Sequence, residues 1–294
     1  MRVSTSQFYK VNAEQMSAGQ SKVAELQTKL GSGKQMVKPS EDPGKANLIS
    51  GLEDAKKRQQ TYTKNVDAAE TRLTAESAVL DSMTTIMQRI TQLTIQSASD
   101  TLGVSDRDVI ATEIEALRDE LLNLTNTQDL TGAYIFSGNK TSSPAFVEDS
   151  NGTVLYNGDY GRMEINVSDV RSIAINTLGP DLFSAADFKA LDDLVVDLRS
   201  ADGAGVRTKL ANVNSINDRL INSYGSMAGR LAAIESQRSV IDETTLRIDE
   251  LLIREDDLDY AEAVTELSKE SVALQALQAS FVKVAQLSLF NFLR

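Results

Sequence analysis

Cysteine, histidine and tryptophan are absent from this sequence of 294 residues. Without cysteine and histidine, the chain cannot form disulfide bonds, Ser-His or Cys-His nucleophilic pairs, or metal sites that use these ligands. Any catalysis would have to use carboxylate, lysine, tyrosine or hydroxyl groups. The carboxylates are therefore the first groups to consider.

Two groups of carboxylates are candidates for chemistry, and each has a simpler interpretation. Asp256 and Asp257 lie in an acidic run that lacks the regular ligand spacing of a calcium loop. Asp192 and Asp193 are adjacent, so on a helix their side chains point about 100° apart rather than into one cleft. We expect no metal, no cofactor and no enzymatic activity.

Basic residues are in the minority, since 30 Lys and Arg stand against 42 Asp and Glu, a formal net charge of -12. Binding to nucleic acid phosphates needs a basic surface, so nucleic acid is not an expected partner. No stretch approaches the roughly 18 apolar residues of a membrane span. Polar residues 4–7 interrupt any apolar run near Met1, which predicts no membrane insertion and no cleaved signal peptide.

Proline is also scarce, and its positions indicate where helices can run. The four prolines are Pro39, Pro43, Pro144 and Pro180. An interior proline costs a helix about 3 kcal/mol, so the proline-free segments 44–143 and 181–294 can hold long helices.

Both proline-free segments carry a heptad-like apolar pattern. Alternate steps of four and three from Leu48 to Ser97 pass eleven apolar residues in fifteen positions, and a second series from Leu210 to Glu255 passes ten in fourteen. Such a pattern is typical of a helix that gives one seam to a partner helix. The sequence predicts two helices of about 50 residues that pack antiparallel as a coiled-coil-like rod.

The segment between the two rods differs in composition. It runs from Tyr134 to Phe183 and holds six of the 15 Phe and Tyr residues. Its turn pairs Asn151-Gly152 and Asn157-Gly158 predict hairpins, and the alternation of Met163, Ile165 and Val167 with polar residues predicts a half-buried strand. We expect a small β insert at the far end of the rods.

Both termini are amphipathic and would meet at the near end of the rods. Gly31-Ser32-Gly33 with Pro39 and Pro43 on one side, and residues 254–259 on the other, suggest hinge-like boundaries. The predicted domains are residues 1–40 plus 258–294 (terminal helical assembly domain), 44–133 plus 184–257 (helical rod domain) and 134–183 (β-rich outer domain). The overall class is mainly α.

The apolar residues of the termini are the predicted functional site. A unit of two helices has a small core, which favours completion of folding on neighbouring subunits. The candidate assembly interface consists of Phe8, Val11, Val23, Leu26, Leu30, Leu274, Leu277, Phe281, Val284, Leu287 and Phe290.

Several motifs resemble those of bacterial flagellins and their hook-associated relatives. They cover nearly the whole chain except the β insert, and they are Leu30-Gly31-Ser32-Gly33-Lys34, Lys38 to Ala46 (KPSEDPGKA), Ile110-Ala111-Thr112-Glu113-Ile114, Gly132 to Gly138 (GAYIFSG), Gly225 to Glu235 (GSMAGRLAAIE), Asp259-Tyr260-Ala261-Glu262-Ala263 and Ala285 to Leu293 (AQLSLFNFL). The start Met1-Arg2-Val3-Ser4-Thr5 and the aromatic-rich ending are more similar to the hook-associated members that join hook to filament than to filament flagellins.

The resemblance implies a structural role in the extracellular flagellum. It implies a tube in which the terminal helices line the inner core, the rods form the wall and the insert faces outward. The implied partners are a hook-side hook-associated protein, flagellin, copies of the chain itself and an export chaperone on the C-terminal helix. Export would use the flagellar type III apparatus.

Two alternatives to a hook-filament junction protein stay open. A minor filament flagellin would share the fold and most motifs. A cytoplasmic coiled-coil adaptor or chaperone would share only the helical pattern.

Overall fold

The structure is a computed structural model that describes the backbone of residues 2–99, 102–200 and 203–292, with side chains except at 2–6, 8, 203 and 285–292. The helices in these ranges are Arg2–Ser32 (α1), Pro43–Ser97 (α2), Val104–Thr125 (α3), Gly179–Leu182 (α4), Ala185–Arg199 (α5), Gly203–Asp256 (α6) and Tyr260–Phe292 (α7). The strands are Phe146–Glu148 (β1), Val154–Tyr156 (β2), Glu164–Asn166 (β3) and Ser172–Ala174 (β4). The predicted mainly α class with long helices and a small β region is confirmed.

The chain divides into two compact units. The first consists of Met1–Arg58 and Thr244–Arg294, and the second of Gln59–Glu243. The three domains predicted from the sequence stay a prediction. No helix in the part of the chain that the structure describes is long and apolar enough to cross a membrane.

In the second unit, α2 and α6 run antiparallel. Arg238 forms ion pairs with Asp67 and Glu70. Arg230, which precedes Arg238 along α6, pairs with Glu76, which follows both of these acids along α2. The residue numbers of the partners therefore run in opposite directions. The core between the helices is built from the predicted heptad positions, which include Val66, Leu73, Leu80, Met83, Met87 and Ile90 from α2 and Val213, Leu220, Met227, Ile234 and Ile241 from α6. The pattern therefore identified the correct seam.

Two shorter helices complete this core. Helix α3 contributes Ile114 and Leu121, and α5 contributes Leu191, Leu194 and Leu198. The sequence pattern placed residues 184–257 in the rod domain and did not separate α5 as a helix of its own. The signal was present, because the backbone N–H of Ser184 donates to the Asp187 carboxylate at 2.6 Å, the arrangement of a helix start with an acidic third residue.

The β region consists of two separate hairpins. Strand β1 pairs antiparallel with β2, and β3 pairs with β4. The Asn151-Gly152 turn lies between β1 and β2 as predicted, with Gly152 at φ 78°. The hairpin predicted at Asn157-Gly158 is wrong, since these residues lie in the link between the two hairpins, where a Cβ on Gly158 would lie 2.4 Å from the Tyr156 hydroxyl.

The second hairpin is held against α2 by polar contacts. The Tyr62 hydroxyl donates to the Asp169 carboxylate at 2.6 Å, and the Asn65 amide donates to the Asn166 carbonyl at 2.7 Å. These bonds fix the β3–β4 hairpin along the rod.

A buried polar network, the Glu76 network, connects both rod helices to the segment after β4. Arg230 donates to the carbonyls of Ala174 and Asn176 at 3.1 and 2.9 Å, to the Glu76 carboxylate at 3.2 Å and to the Thr177 hydroxyl at 2.5 Å. The Thr177 hydroxyl also donates to Glu76, whose side chain is fully buried. Burial raises the pKa of Glu76, and the contacts with Thr177 and Arg230 oppose this.

We predict that Arg230→Met lowers the free energy of unfolding by about 3 kcal/mol or more, because it leaves the Glu76 carboxylate buried without its cation. The matched control is Arg238→Met on the same helix, whose partners Asp67 and Glu70 are about half exposed. That change should cost about 1 kcal/mol or less. Urea unfolding followed by circular dichroism measures both, and equal losses would show that the Glu76 network does not stabilise the fold.

Candidate assembly interface

Helices α1 and α7 pack side by side in the first unit, as a pair that we call the terminal pair. The Tyr9 and Phe281 rings meet edge to face with centroids 5.6 Å apart. Further along, a Cβ on Gly19 would lie 3.3 Å from a methyl of Leu274. Since the partner's number falls as the α1 number rises, the two helices are antiparallel.

The predicted interface residues divide between the seam of the terminal pair and its surface. Leu26 is buried, and a half-buried group consists of Val23, Leu30, Leu274, Leu277 and Phe281. Val11 and Val284 remain exposed. The side chains of Phe8, Leu287 and Phe290 lie outside the described residues. The seam thus uses most of the predicted residues within the chain, and their role between subunits stays a prediction.

Sequence reasoning missed a second apolar face on α7. Val264, Val272 and Val282 are 50%, 65% and 52% exposed, and Tyr260 is 55% exposed. Val264 and Val282 are eighteen residues apart, which is five full turns of a helix, so they point in the same direction, and Val272 lies about 80° around the helix from them. These valines fall outside the heptad-like positions of the seam, which is why a search for one apolar face passed over them.

Among the residues whose side chains the structure describes, part of α7 therefore stays open to solvent. The seam of the terminal pair consists mainly of half-buried side chains, and the valine face of α7 is open to solvent. Apolar surface that is open to solvent is one feature of sites that contact other proteins, and single exposed apolar residues are also common on protein surfaces.

Two of the carboxylates considered for chemistry, Asp192 and Asp193, form ion pairs with neighbouring cations. Asp192 lies 3.0 Å from Arg118 of α3, and Asp193 lies 3.0 Å from Lys189 and 3.1 Å from Lys209. Hydrogen bonding from Lys189 and Lys209 lowers the pKa of Asp193, whereas burial raises the pKa of Asp192 against the attraction of Arg118. The two carboxylates thus hold α5 against α3 and α6.

Comparison with known proteins gives a consistent group of relatives. Residues 3–141 match the protein family described as the bacterial flagellin N-terminal helical region. Flagellar hook-associated protein 3 of Escherichia coli (strain K12) is 29% identical over 317 residues, which cover 99% of each chain. The protein of the same description from Salmonella typhimurium is 26% identical over 320 residues and covers all of both chains.

A solved structure supports the fold. The flagellar junction protein FlgL from Legionella pneumophila superposes with a TM-score of 0.63 at 16% identity. The match covers 71% of this chain and 99% of that one.

Proposed function

We propose that the chain belongs to the flagellin family, in the branch of flagellar hook-associated protein 3, and that it is a structural component of the bacterial flagellum that joins the hook to the filament. The observation that carries this proposal is the similarity to hook-associated protein 3 from end to end. The terminal pair adds physical support, because its exposed valine face needs partners.

The proposed mechanism is geometric. Copies of the chain would pack side by side through the terminal pair and the flanks of the rods, and they would present one edge to the hook-side protein and the other to flagellin. A tubular array requires each copy to carry two different, complementary surfaces, since identical self-complementary patches would close into dimers. The three predicted domains would then form the inner core, the wall and the outer face.

Export and location follow from the same proposal. The protein would reach the outside of the cell through the flagellar type III apparatus. Until then, the apolar faces of α7 would need protection from aggregation, and an export chaperone bound to the C-terminal helix would provide it.

Deletion followed by microscopy tests the proposed junction role. Cells without this protein should build hooks, lack attached filaments and shed flagellin into the medium. Normal filaments on the deletion strain would contradict the proposal. Long filaments formed by the purified chain alone would identify it as a minor flagellin, and retention of all of the protein in the cytoplasm would identify an adaptor.

The valine face of α7 allows a more specific prediction. Replacing Val264, Val272 and Val282 with Ser should leave the melting temperature of the free chain nearly unchanged, because half or more of each side chain is exposed. Burial of a valine in an assembly contributes about 1.5 kcal/mol or more, so the triple variant should weaken filament attachment and motility.

The matched control replaces three exposed apolar residues of the β hairpins, Val147, Leu155 and Val170, with Ser. It should assemble normally if the insert faces outward. Secreted protein must be quantified for both variants, because reduced chaperone binding would lower export. A triple α7 variant that is exported and supports normal swimming would show that this face is not an assembly surface.

A further inference from the structure

The two chain segments that connect the terminal pair to the rod helices meet and pair with each other. One segment follows α1 from Gly33 onward, and the other consists of residues 257–259 between α6 and α7. Lys34 and Asp257 form an isolated antiparallel bridge. The N–H of Gln35 donates to the Asp256 carbonyl at 2.7 Å, and the N–H of Leu258 donates to the Gly33 carbonyl at 3.0 Å.

Side chains add charged contacts to this bridge. The Lys34 ammonium lies 2.6 Å from the Asp256 carboxylate and 3.9 Å from Glu53 of α2. The hydrogen bond to Asp256 raises the pKa of Lys34. Lys45 approaches Glu255 at 4.0 Å. Lysines from the first segment and from the start of α2 thus bind carboxylates at the end of α6.

Gly33 lets the two segments approach closely. Its φ of 71° is in the left-handed region, which residues with a side chain rarely adopt. A Cβ at this position would also lie 2.8 Å from the Tyr260 hydroxyl at the start of α7. Asp259 fixes that helix start, since its carboxylate accepts from the N–H groups of Ala261 and Glu262 at 2.9 and 3.1 Å.

We propose that Gly33, Lys34 and Asp256 form one joint that orients the terminal pair as a single body relative to the adjoining ends of α2 and α6. Two unpaired linkers would let α1 and α7 move separately. When the two linkers are paired, α1 and α7 are held together at their connections to the rod helices, so the two helices keep the contacts of their common seam. This inference rests on the proposed function, because the joint would aim the apolar surfaces of the terminal pair at neighbouring copies.

The contacts of the joint contribute little to stability, but they define one orientation of the terminal pair. The ion pair of the joint is partly open to water, with 48% of the Lys34 side chain exposed. Partly exposed pairs of this kind contribute little to stability, so the joint can open without melting the helices. Lys34 and Gly33 are therefore positioning residues.

The test measures the distance between α2 and α7 in the full-length free chain. The chain has no native cysteine, so spin labels can be attached at Leu48→Cys and Val272→Cys, both exposed positions of the first unit. Pulsed electron resonance should give one narrow distance distribution for the otherwise unaltered chain. Gly33→Ala and Lys34→Met should broaden it, while circular dichroism stays the same.

Two matched controls isolate the joint from general effects. Gly31→Ala is the same substitution two residues earlier, within α1, where a Cβ would meet nothing within 4 Å. Lys57→Met removes another lysine of the first unit, one that pairs with Asp54 on the surface. Both should keep the narrow distribution, and equal broadening in controls and test variants would overturn the proposal.

Hydrogen exchange provides a second measurement that does not depend on labels. Lys34→Met should speed exchange of the Gln35 and Leu258 amides about fivefold, with no change at Leu26 in the seam. If Gly33→Ala loses helix content, Asp256→Asn supplies a milder test of the same contact. Unchanged exchange at Gln35 and Leu258 in both Lys34→Met and Asp256→Asn would contradict the joint.

Complementation of the deletion strain separates this inference from the proposed function. If the deletion strain sheds filaments and the Gly33→Ala chain is exported but does not restore them, the joint positions the assembly surfaces. If the Gly33→Ala chain restores normal filaments although its α2–α7 distance distribution is broad, the positioning role of the joint is refuted and the junction function is not. Normal filaments on the deletion strain itself would refute the junction function.

Discussion

Two helices of 55 and 54 residues impose the main constraint on this structure, because each carries an apolar seam that only a partner of similar length can cover. Their antiparallel pairing determines much else. It brings Met83 and Met87 of α2 into one core with Val213 and Leu220 of α6, and it forms the surface on which α3 and α5 pack. Among the described side chains, the valine face of α7 has no such cover. The same physical rule thus accounts for a packed rod in one part of the chain and for an apolar face open to solvent in another.

A charged residue buried in the rod seam, Glu76, has a different role. Glu76 occupies a heptad-like position that would ordinarily be apolar, and it contacts Arg230 and Thr177. Buried ion pairs contribute little net stability compared with apolar packing, but a lost partner is costly. An alternative register of α2 against α6 would separate Glu76 from Arg230. The Glu76 network therefore opposes slippage of the rods and fixes the segment after β4 to them.

The sequence predicted the features that depend on the local spacing of apolar residues, on a helix-breaking proline or on a turn-forming glycine. The rod helices, the termini and the Asn151-Gly152 turn follow from spacing along the chain. Features that depend on distant partners could not be predicted. Glu76 was recognisable as a polar residue in a seam, but its contact with Thr177, 101 residues away, was not. The valine face of α7 was missed because it lies off the seam, and the joint was missed because glycine and proline were interpreted as separate hinges.

The central claim is that the valine face of α7 becomes buried when the flagellum assembles. Cysteine labelling measures this directly in a chain that has no native cysteine. Val272→Cys should react with a maleimide in the free chain and become protected in isolated flagella. Leu155→Cys, at an exposed position of β2, should react in both. Equal reactivity of Val272→Cys before and after assembly would contradict the account.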